Sequence, residues 1–201
     1  MIKLIIIAVI ILTPLKLAQQ LEKRFLDASR RPPLWVVLLS SIGKGNIGTG
    51  SFGKTPNRLD LSLLQPGDIL LGGNKGGSYG KYTHAGLFIG NNQVIEMYIS
   101  TGVYLTEAET YHRYTWAAIL RVKATPRQKM AAVNYAKSQL GTPFFILTPK
   151  NDNGLWYCSK LIWYAYLKQG INLEPFKSFW ITPDDFLYSE KAQIIAYSSA
   201  G

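Results

Sequence analysis

The order of short apolar runs and turn signals constrains the fold of this chain more than any other feature. After the turn sequence Gln65-Pro66-Gly67-Asp68, β-strand patterns bounded by glycine, asparagine or other polar residues are found at 69–71, 84–90, 93–98, 102–105 and 116–122. Helical patterns follow at 126–140 and about 158–169, and a last strand pattern lies at 193–197. Because the strands precede the helices, the sequence predicts an α+β domain whose antiparallel sheet packs against helices.

Local signals place several boundaries. Asn91-Asn92 predicts a tight hairpin turn between two strands. Thr125 is a favourable N-cap, Pro126 suits the first helical position, and Gly141 follows the predicted helix end. Gly170 closes the second predicted helix in the same way.

The first third of the chain differs from the rest. Residues 4–12 are all Leu, Ile, Ala or Val after a short basic start, which is typical of a secretory signal or an uncleaved membrane anchor. A buried helix of the domain is the third alternative. Pro14 and Lys16 interrupt this run well before the ~20 residues that a membrane span needs. A second apolar run at 34–39 suits either a membrane interface or packing on the domain.

The net charge of +10 is concentrated in the same region, since residues 1–60 hold nine basic and three acidic side chains. This distribution favours an anionic membrane surface as a partner, and no zinc-finger or RNA-recognition motif supports nucleic-acid binding. A glycine-rich linker is predicted over 40–57. We therefore expect a signal, anchor and linker region over 1–58, a folded domain over 59–201, and a location in the cell envelope.

The cysteine and histidine counts narrow the chemistry. A single cysteine excludes an internal disulfide framework. With two histidines and no HExxH, CxxC or compact acidic set, the sequence predicts neither a metal site nor a cofactor.

Cys158 is the candidate nucleophile. It begins a predicted helix, where free backbone N–H groups and the helix dipole favour the thiolate and can hold an oxyanion. The alternative is a small buried apolar residue. His84, at the start of an apolar strand, is the candidate base that takes the thiol proton. It could instead be an ordinary hydrogen-bonded strand residue, and His112 is expected in an exposed loop.

Glu96 is the candidate group that orients the histidine. It interrupts the apolar strand Val94-Ile95-Glu96-Met97, and a buried carboxylate needs a partner. Counting back from the Asn91-Asn92 turn suggests that His84 and Glu96 lie within about one residue of a direct cross-strand pair, at roughly 5 Å between Cβ atoms. An exposed glutamate on an edge strand is the alternative.

Together these residues resemble a known family. The segments LLQPGDILL, YTHAGLFIG, VIEMY, GTPF and YCSKLIWYAY are similar to the circularly permuted papain-like hydrolases, the YaeF/YiiX-like branch of the NlpC superfamily, which is related to lecithin retinol acyltransferase. The resemblance covers roughly residues 60–190 and runs in the permuted order, histidine, acidic residue, cysteine. It implies a papain-like fold and a triad of Cys158 as nucleophile, His84 as base and Glu96 as orienting group. Asp68 matches a turn that we interpret as structural.

The resemblance implies hydrolysis or transfer at an amide, ester or thioester carbonyl, in a cell-wall peptide or a lipid-linked acyl group. Two departures from the family pattern, Lys160 and Phe144-Phe145, are expected to border the cleft and to affect the substrate. Two alternatives remain open: a catalytically inactive hydrolase-like domain that binds cell-wall or lipid ligands, and a basic membrane-anchored adaptor that works through residues 1–58.

Overall fold

The computed structural model describes residues 2–28, 30–46, 48–52, 55–145, 148, 150 and 154–200, with side chains from residue 12 onward. Its helices are α1 (Ile2–Asp27), α2 (Leu34–Gly43), α3 (Pro126–Lys137) and α4 (Cys158–Leu167). Its strands are β1 (Thr49–Ser51), β2 (Ile69–Gly73), β3 (Lys75–Gly77), β4 (His84–Gly90), β5 (Gln93–Tyr98), β6 (Gly102–Glu107), β7 (Trp116–Val122) and β8 (Ala192–Ser199). Short 3-10 helices span Leu61–Leu63, Ala108–Arg113 and Pro183–Tyr188.

The central feature is a six-stranded sheet in the order β6-β5-β4-β2-β7-β8, and every neighbouring pair is antiparallel. One face packs against α3 and α4, where Leu71, Leu87 and Ile95 meet Leu161 and Ile162. The other face carries a second apolar cluster that includes Leu70, Phe88, Val94 and Ile119. The predicted α+β arrangement of an antiparallel sheet packed against helices is confirmed.

Helix α3 illustrates how local sequence fixes a boundary. The Thr125 side chain accepts a hydrogen bond from the Gln128 N–H, and the Gln128 side-chain oxygen accepts one from the Thr125 N–H, which forms a capping box. The helix ends at Lys137, three residues before the predicted end. The last turn tightens into i→i+3 hydrogen bonds before Gly141, which has a φ of 83°.

The predicted glycine-rich linker is attached to the domain over part of its length. Strand β1 pairs with β3, with Thr49 opposite Gly77. Asn57 is buried, and its side-chain amide donates to the carbonyls of Tyr111 and Tyr114 at 2.8 and 2.9 Å.

The apolar N-terminal segment forms a pair of packed helices with the second apolar run. Ala18 of α1 is buried, and Glu22 accepts hydrogen bonds from Ser40 and Lys44 at the end of α2. On α2, Val36 is buried while Trp35 is 57% exposed, so this run packs along one side and leaves the other open. Among the helices of the described ranges, none combines the length and apolar character needed to cross a membrane.

Candidate active site

Cys158 is the first residue of α4 and is partly exposed. Tyr157 before it has an extended backbone with a φ of −132°, so the helix begins at the thiol, where the first N–H groups have no partner within the helix. Burial raises the pKa of the Cys158 thiol, but the hydrogen bond and charge of His84 oppose this. Together with the N–H groups of Ala85 and Ser159, they bring the pKa below its ordinary value. The thiolate is therefore favoured at this position.

His84 begins β4 and is buried, with a hydrogen bond on each side of its ring. Its Nε2 lies 2.9 Å from Glu96 Oε2, which leaves Nδ1 for the hydrogen bond with the Cys158 thiol. Burial lowers the pKa of His84, but these hydrogen bonds and the nearby negative charges raise it to about 9. The geometry brings together all three residues that the sequence nominated.

The register of the β4–β5 hairpin determines where Glu96 lies. Asn91 and Asn92 form the predicted turn, with φ values of 50° and 62°. An irregularity then follows at Ile89, because the paired residues are Gly90 with Gln93, Phe88 with Val94, and Leu87 with Ile95. One strand therefore carries an extra residue, which is a β-bulge.

The observed register differs from the predicted one. Continuing the register from Leu87 and Ile95 places Gly86 opposite Glu96, so His84 is a diagonal neighbour two positions away. The prediction of a nearly direct pair is wrong: a regular count back from the turn places His84 three positions from the residue opposite Glu96, and the bulge reduces this to two. Without the bulge, Glu96 would lie opposite Leu87 and point to the other face of the sheet, because a slip of one residue reverses the side of every side chain.

Glu96 is held by two tyrosine hydroxyls besides His84. Tyr104, directly opposite on β6, donates to Oε1, and Tyr111 donates to Oε2 at 3.0 Å. Burial raises the pKa of Glu96, but His84 and the two hydroxyls outweigh it and lower the pKa below its usual range. Neither tyrosine is among the predicted site residues. Tyr104 could have been found from its place on the strand next to Glu96.

Two further tyrosines cover the His84 ring. Tyr98 stacks on it with ring centroids 4.2 Å apart and planes at 17°, and the Tyr114 ring lies nearly parallel at 6.0 Å. The two tyrosine hydroxyls are hydrogen-bonded to each other. Gly72, paired with His84, makes room for this stack, since a Cβ there would lie 2.6 Å from the Tyr114 ring. The ring orientation of His84 is thus fixed by packing and by hydrogen bonds.

A pocket of about 240 Å3 opens beside Cys158. Its lining combines residues next to the nucleophile with residues from α2 and from the segment before the last 3-10 helix, among them Leu34, Leu38, Phe144, Trp180 and Ile181. Phe144 therefore borders the cleft as expected. Phe145 is 46% exposed and lies outside the pocket lining.

Lys160 does not border the cleft, so that expectation is wrong. Its side chain is fully buried on α4, and Nζ donates to Thr148 Oγ1 at 2.9 Å and to the Leu155 carbonyl at 2.8 Å. The ammonium also lies 5.3 Å from the centre of the Trp156 ring. Lys160 thus supports the segment that precedes Cys158.

The remaining candidates lie away from the thiol. His112 is half-buried in a 3-10 helix, and its Nδ1 lies 3.0 Å from the Asn57 carbonyl. Asp68 is buried and forms an ion pair with Arg121 at 2.7 Å, which agrees with a structural role. Within the part of the chain that the structure describes, no group of three or more His, Cys, Asp or Glu side chains is arranged to hold a metal ion.

Comparisons with known proteins agree with this architecture. The profile of the permuted papain-like amidases, described as the YaeF/YiiX, C92 family, matches residues 63–191. The uncharacterized protein YycO of Bacillus subtilis (strain 168) is 27% identical over 117 residues, which cover 56% of this chain and 48% of YycO. The chain thus matches about half the length of that relative.

A solved structure shows the same fold. The crystal structure described as metalloprotein YiiX of Escherichia coli O157:H7 superposes with a TM-score of 0.56 at 17% sequence identity, covering 66% of this chain and 96% of YiiX. The profile match extends over more than half of the sequence and includes His84, Glu96 and Cys158. The chain belongs to the family of permuted papain-like amidases.

Proposed function

We propose that this protein is a cysteine hydrolase that cleaves an amide bond through Cys158, His84 and Glu96. The observation that carries the proposal is the continuous line of hydrogen bonds from a partly exposed thiol at a helix N-terminus, through His84, to the buried Glu96 carboxylate. Membership of an amidase family supports hydrolysis, and the pocket beside the thiol provides space for a substrate.

The steps of the reaction follow from the charges of the Cys158 thiolate and the His84 imidazolium. The Cys158 thiolate attacks the substrate carbonyl carbon, and the backbone N–H groups at the start of α4 stabilise the negative oxygen of the tetrahedral intermediate. The His84 imidazolium gives its proton to the leaving amine as the C–N bond breaks. Water then attacks the resulting thioester, with His84 taking its proton, and the carboxylic acid leaves. Glu96 keeps the ring oriented and stabilises its positive charge throughout.

The same steps apply to an ester or a thioester, whose leaving group is an alcohol or a thiol. A cell-wall peptide and a lipid-linked acyl group are both candidate substrates. Each passes through an acyl group bound to Cys158, so the intermediate itself distinguishes them.

Trapping that intermediate tests the proposal. The purified protein is incubated briefly with a bacterial envelope extract, quenched in acid and digested, and the peptide containing Cys158 is analysed by mass spectrometry. We expect a mass increase on Cys158 that identifies the acyl group, and no such increase on any peptide of the Cys158→Ala variant. If no adduct forms, and Cys158→Ala binds the same extract components as the wild type, the protein is a hydrolase-like binding domain instead.

We also propose that the N-terminal helices hold the protein at the surface of the envelope membrane. Leu12, Leu17 and Leu26 on α1 and Trp35 on α2 are exposed, and basic side chains lie among them. Sedimentation of the full chain with vesicles tests this: binding is expected to vesicles that contain phosphatidylglycerol and to weaken as salt is raised. Equal recovery in the supernatant with and without vesicles would contradict it.

A further inference from the structure

A separate cavity lies between the N-terminal helices and the sheet. Its volume is about 410 Å3, and pockets that enclose a small-molecule ligand are on the order of 300–1,000 Å3. Helices α1 and α2 form one wall, and the turn after β2, the start of β7 and the last 3-10 helix form the other. Among the described residues, only Thr182 borders both this cavity and the pocket beside the thiol. We refer to this space as the Asn74 cavity and define it by six lining residues: Glu22, Ser41, Asn74, Lys81, Trp116 and Asp184.

Asn74 is only 3% exposed, yet half of its side-chain amide is unused. Its Oδ1 accepts a hydrogen bond from the Thr115 N–H at 3.1 Å, whereas its Nδ2 donates none to any residue that the structure describes. Apart from Asp185 Oδ1, which faces Arg31, no fully enclosed side-chain nitrogen or oxygen in the described ranges lacks a hydrogen-bond partner. The Nδ2 group is therefore not sealed in the interior, and it opens into the cavity that Asn74 lines.

Two further donors border the cavity. Ser41 of α2 is 5% exposed, and its hydroxyl forms no hydrogen bond within the part of the chain that the structure describes, so it opens into the cavity in the same way. Lys81 is exposed, with its ammonium 5.8 Å from the centre of the Trp116 ring and no ion pair with a described carboxylate. The cavity thus presents an amide, a hydroxyl and an ammonium as donors.

Acceptors are present as well. The Asp184 carboxylate accepts hydrogen bonds from two backbone N–H groups at 2.8 Å each, and no cation of the described residues forms an ion pair with it. Burial raises the pKa of Asp184 to about 6, so this carboxylate is charged at pH 7.5. Glu22 accepts from Ser40 and Lys44 through Oε2, and its Oε1 forms no hydrogen bond with the described part of the chain. The cavity can therefore both donate and accept.

The charges at the walls balance. Two ion pairs neutralise four of the side chains: Arg31 with Asp185 and Lys44 with Glu22. Lys81 and Asp184 then remain as single charges of opposite sign. An anion in the cavity would meet the carboxylates and a cation would meet the basic groups, so an uncharged ligand meets the least repulsion.

The rest of the lining is apolar and includes Leu26, Val37, Leu187 and the Trp116 ring. A hydroxyl group both donates and accepts hydrogen bonds. A sugar ring joins several hydroxyls to C–H faces, which favour contact with aliphatic and aromatic surfaces. A saccharide therefore matches the polar and the apolar parts of the walls together.

We propose that the Asn74 cavity binds an uncharged saccharide. The Asn74 Nδ2 and Lys81 Nζ groups donate to its oxygens, Glu22 Oε1 and the Asp184 carboxylate accept from its hydroxyls, and its C–H face packs on Trp116. The site includes no residue of the Cys158, His84 and Glu96 triad, and it does not depend on the proposed function.

Calorimetric titration of the full-length protein at pH 7.5 tests the inference with two neutral disaccharides, N,N′-diacetylchitobiose and maltose. We expect saturable binding of at least one of them with a Kd on the order of 1 mM, because several hydrogen bonds form at a small net gain each. The charged counterparts, deacetylated chitobiose and maltose 1-phosphate, should bind at least ~5-fold more weakly. Absence of saturable binding by both neutral sugars would overturn the inference, as would tighter binding of a charged form.

Two tryptophan variants on α2 locate the site. Val37→Trp, which fills the cavity, should weaken binding at least ~10-fold. Ile42→Trp is the matched control and should change the affinity less than ~2-fold, since Ile42 is 53% exposed and does not line the cavity. Equal affinities of the two variants would contradict the proposed location.

A change of one donor gives a second test that preserves the fold. Asn74→Asp keeps the oxygen that accepts from the Thr115 N–H and removes the Nδ2 donor, so binding should weaken at least ~5-fold. Asn134→Asp, at an exposed position of α3, adds the same charge elsewhere and should change the affinity less than ~2-fold. If Val37→Trp fails to fold by circular dichroism, this pair decides the outcome, and equal affinities in the pair would overturn the inference.

Alkylation separates this site from the active site. Cys158 is the single cysteine, so iodoacetamide modifies the pocket beside the thiol and leaves the Asn74 cavity unchanged. The alkylated protein should bind the disaccharide with an affinity within ~2-fold of the untreated protein. Loss of binding on alkylation would place the sugar beside Cys158 and overturn the inference. Unchanged binding in a protein that forms no acyl adduct would support the saccharide site while the proposed function fails.

Discussion

Cys158 lies between two regions of opposite character. On one side, His84, Glu96 and the surrounding tyrosine hydroxyls form a polar network in which each charge has a partner. On the other side, the pocket beside the thiol adjoins a second cavity along α2, and Leu34, Leu38 and Trp180 line both. This α2 groove is lined mainly by leucine and aromatic side chains. The first region can move protons and stabilise charge. The second offers mainly apolar surface.

The two regions also differ in how the chain builds them. Most of the polar network comes from adjacent strands β4, β5 and β6, whose hydrogen-bonded register fixes the side chains relative to one another, and Tyr111 joins it from the 3-10 helix that follows β6. The α2 groove joins segments that are far apart in sequence, and the Arg31–Asp185 ion pair connects the start of α2 to the last 3-10 helix. Catalytic geometry thus depends on the sheet, whereas the groove depends on packing between peripheral segments.

The largest expected effect is on the polar side. His84→Ala should lower kcat/KM by about 10³–10⁴-fold, because it removes the group that exchanges protons with the thiol and the leaving group. Without the hydrogen bond and charge of His84, the pKa of Cys158 should also rise, so alkylation by iodoacetamide should require a higher pH. His112→Ala is the control and should change kcat/KM less than ~2-fold. Equal losses of kcat/KM in both variants would mean that His84 does not take part in the reaction.

The second prediction concerns the Arg31–Asp185 ion pair beside the α2 groove. Arg31→Gln should lower the free energy of unfolding by about 3 kcal/mol at pH 7, because it leaves the buried Asp185 carboxylate without its counter-charge. Burial already raises the pKa of Asp185, against the opposing charge of Arg31, so loss of Arg31 should raise it further. The protonated carboxyl needs no counter-charge, and the destabilisation should therefore be smaller at pH 4.5. Urea unfolding at the two pH values measures this.

Arg30→Gln provides the comparison for that experiment, since the neighbouring Arg30 is exposed and should change stability by less than about 0.5 kcal/mol. A cost that is the same at both pH values would show that the Asp185 charge is not responsible.

Glu96→Gln should reduce kcat/KM by about a hundredfold, because the neutral amide no longer stabilises the imidazolium. The pKa of His84 should fall below about 9 when the carboxylate charge is lost. Since the imidazolium is the proton donor, the alkaline limb of the pH profile should move to lower pH. Glu107→Gln, at the exposed end of β6, should leave the profile in place. An unshifted alkaline limb in Glu96→Gln would mean that Glu96 does not act through His84.

The smallest effect is expected for Tyr111→Phe, which removes one hydrogen bond to the Glu96 carboxylate and should lower kcat/KM by about 3- to 10-fold. Loss of this donor should raise the pKa of Glu96, so the acid limb of the pH profile should move upward. Tyr135→Phe is the control, because Tyr135 packs against Trp156 away from Glu96. An acid limb that moves equally in both variants would contradict the role of the Tyr111 hydroxyl.

Much of the sheet could be predicted because its signals are local. Strands β4, β5 and β7 have the predicted limits, since apolar runs there end at glycine, asparagine or polar turns. Helices α3 and α4 begin as predicted and end two to three residues early, where their last turns tighten.

The details of the site depend on features that a single sequence does not reveal. No turn residue or proline at Ile89 signals the bulge in the sequence, yet the bulge decides which face of the sheet carries Glu96. The expected position of Lys160 is wrong because α4 is buried around nearly its whole circumference. Its sequence therefore has no polar stripe to show which side faces the cleft. Leu34 and Leu38 line the pocket only because α2 packs near residues more than a hundred positions away, and a single sequence does not reveal such a contact.

The position of Leu34 and Leu38 has a consequence for how such proteins diversify. Two chains could share all of the residues that perform the reaction and still differ in the pocket beside the nucleophile, because Leu34 and Leu38 line it from a preceding pair of helices. Exchange of that helical pair between relatives would then change one wall of the pocket while leaving the catalytic strands untouched.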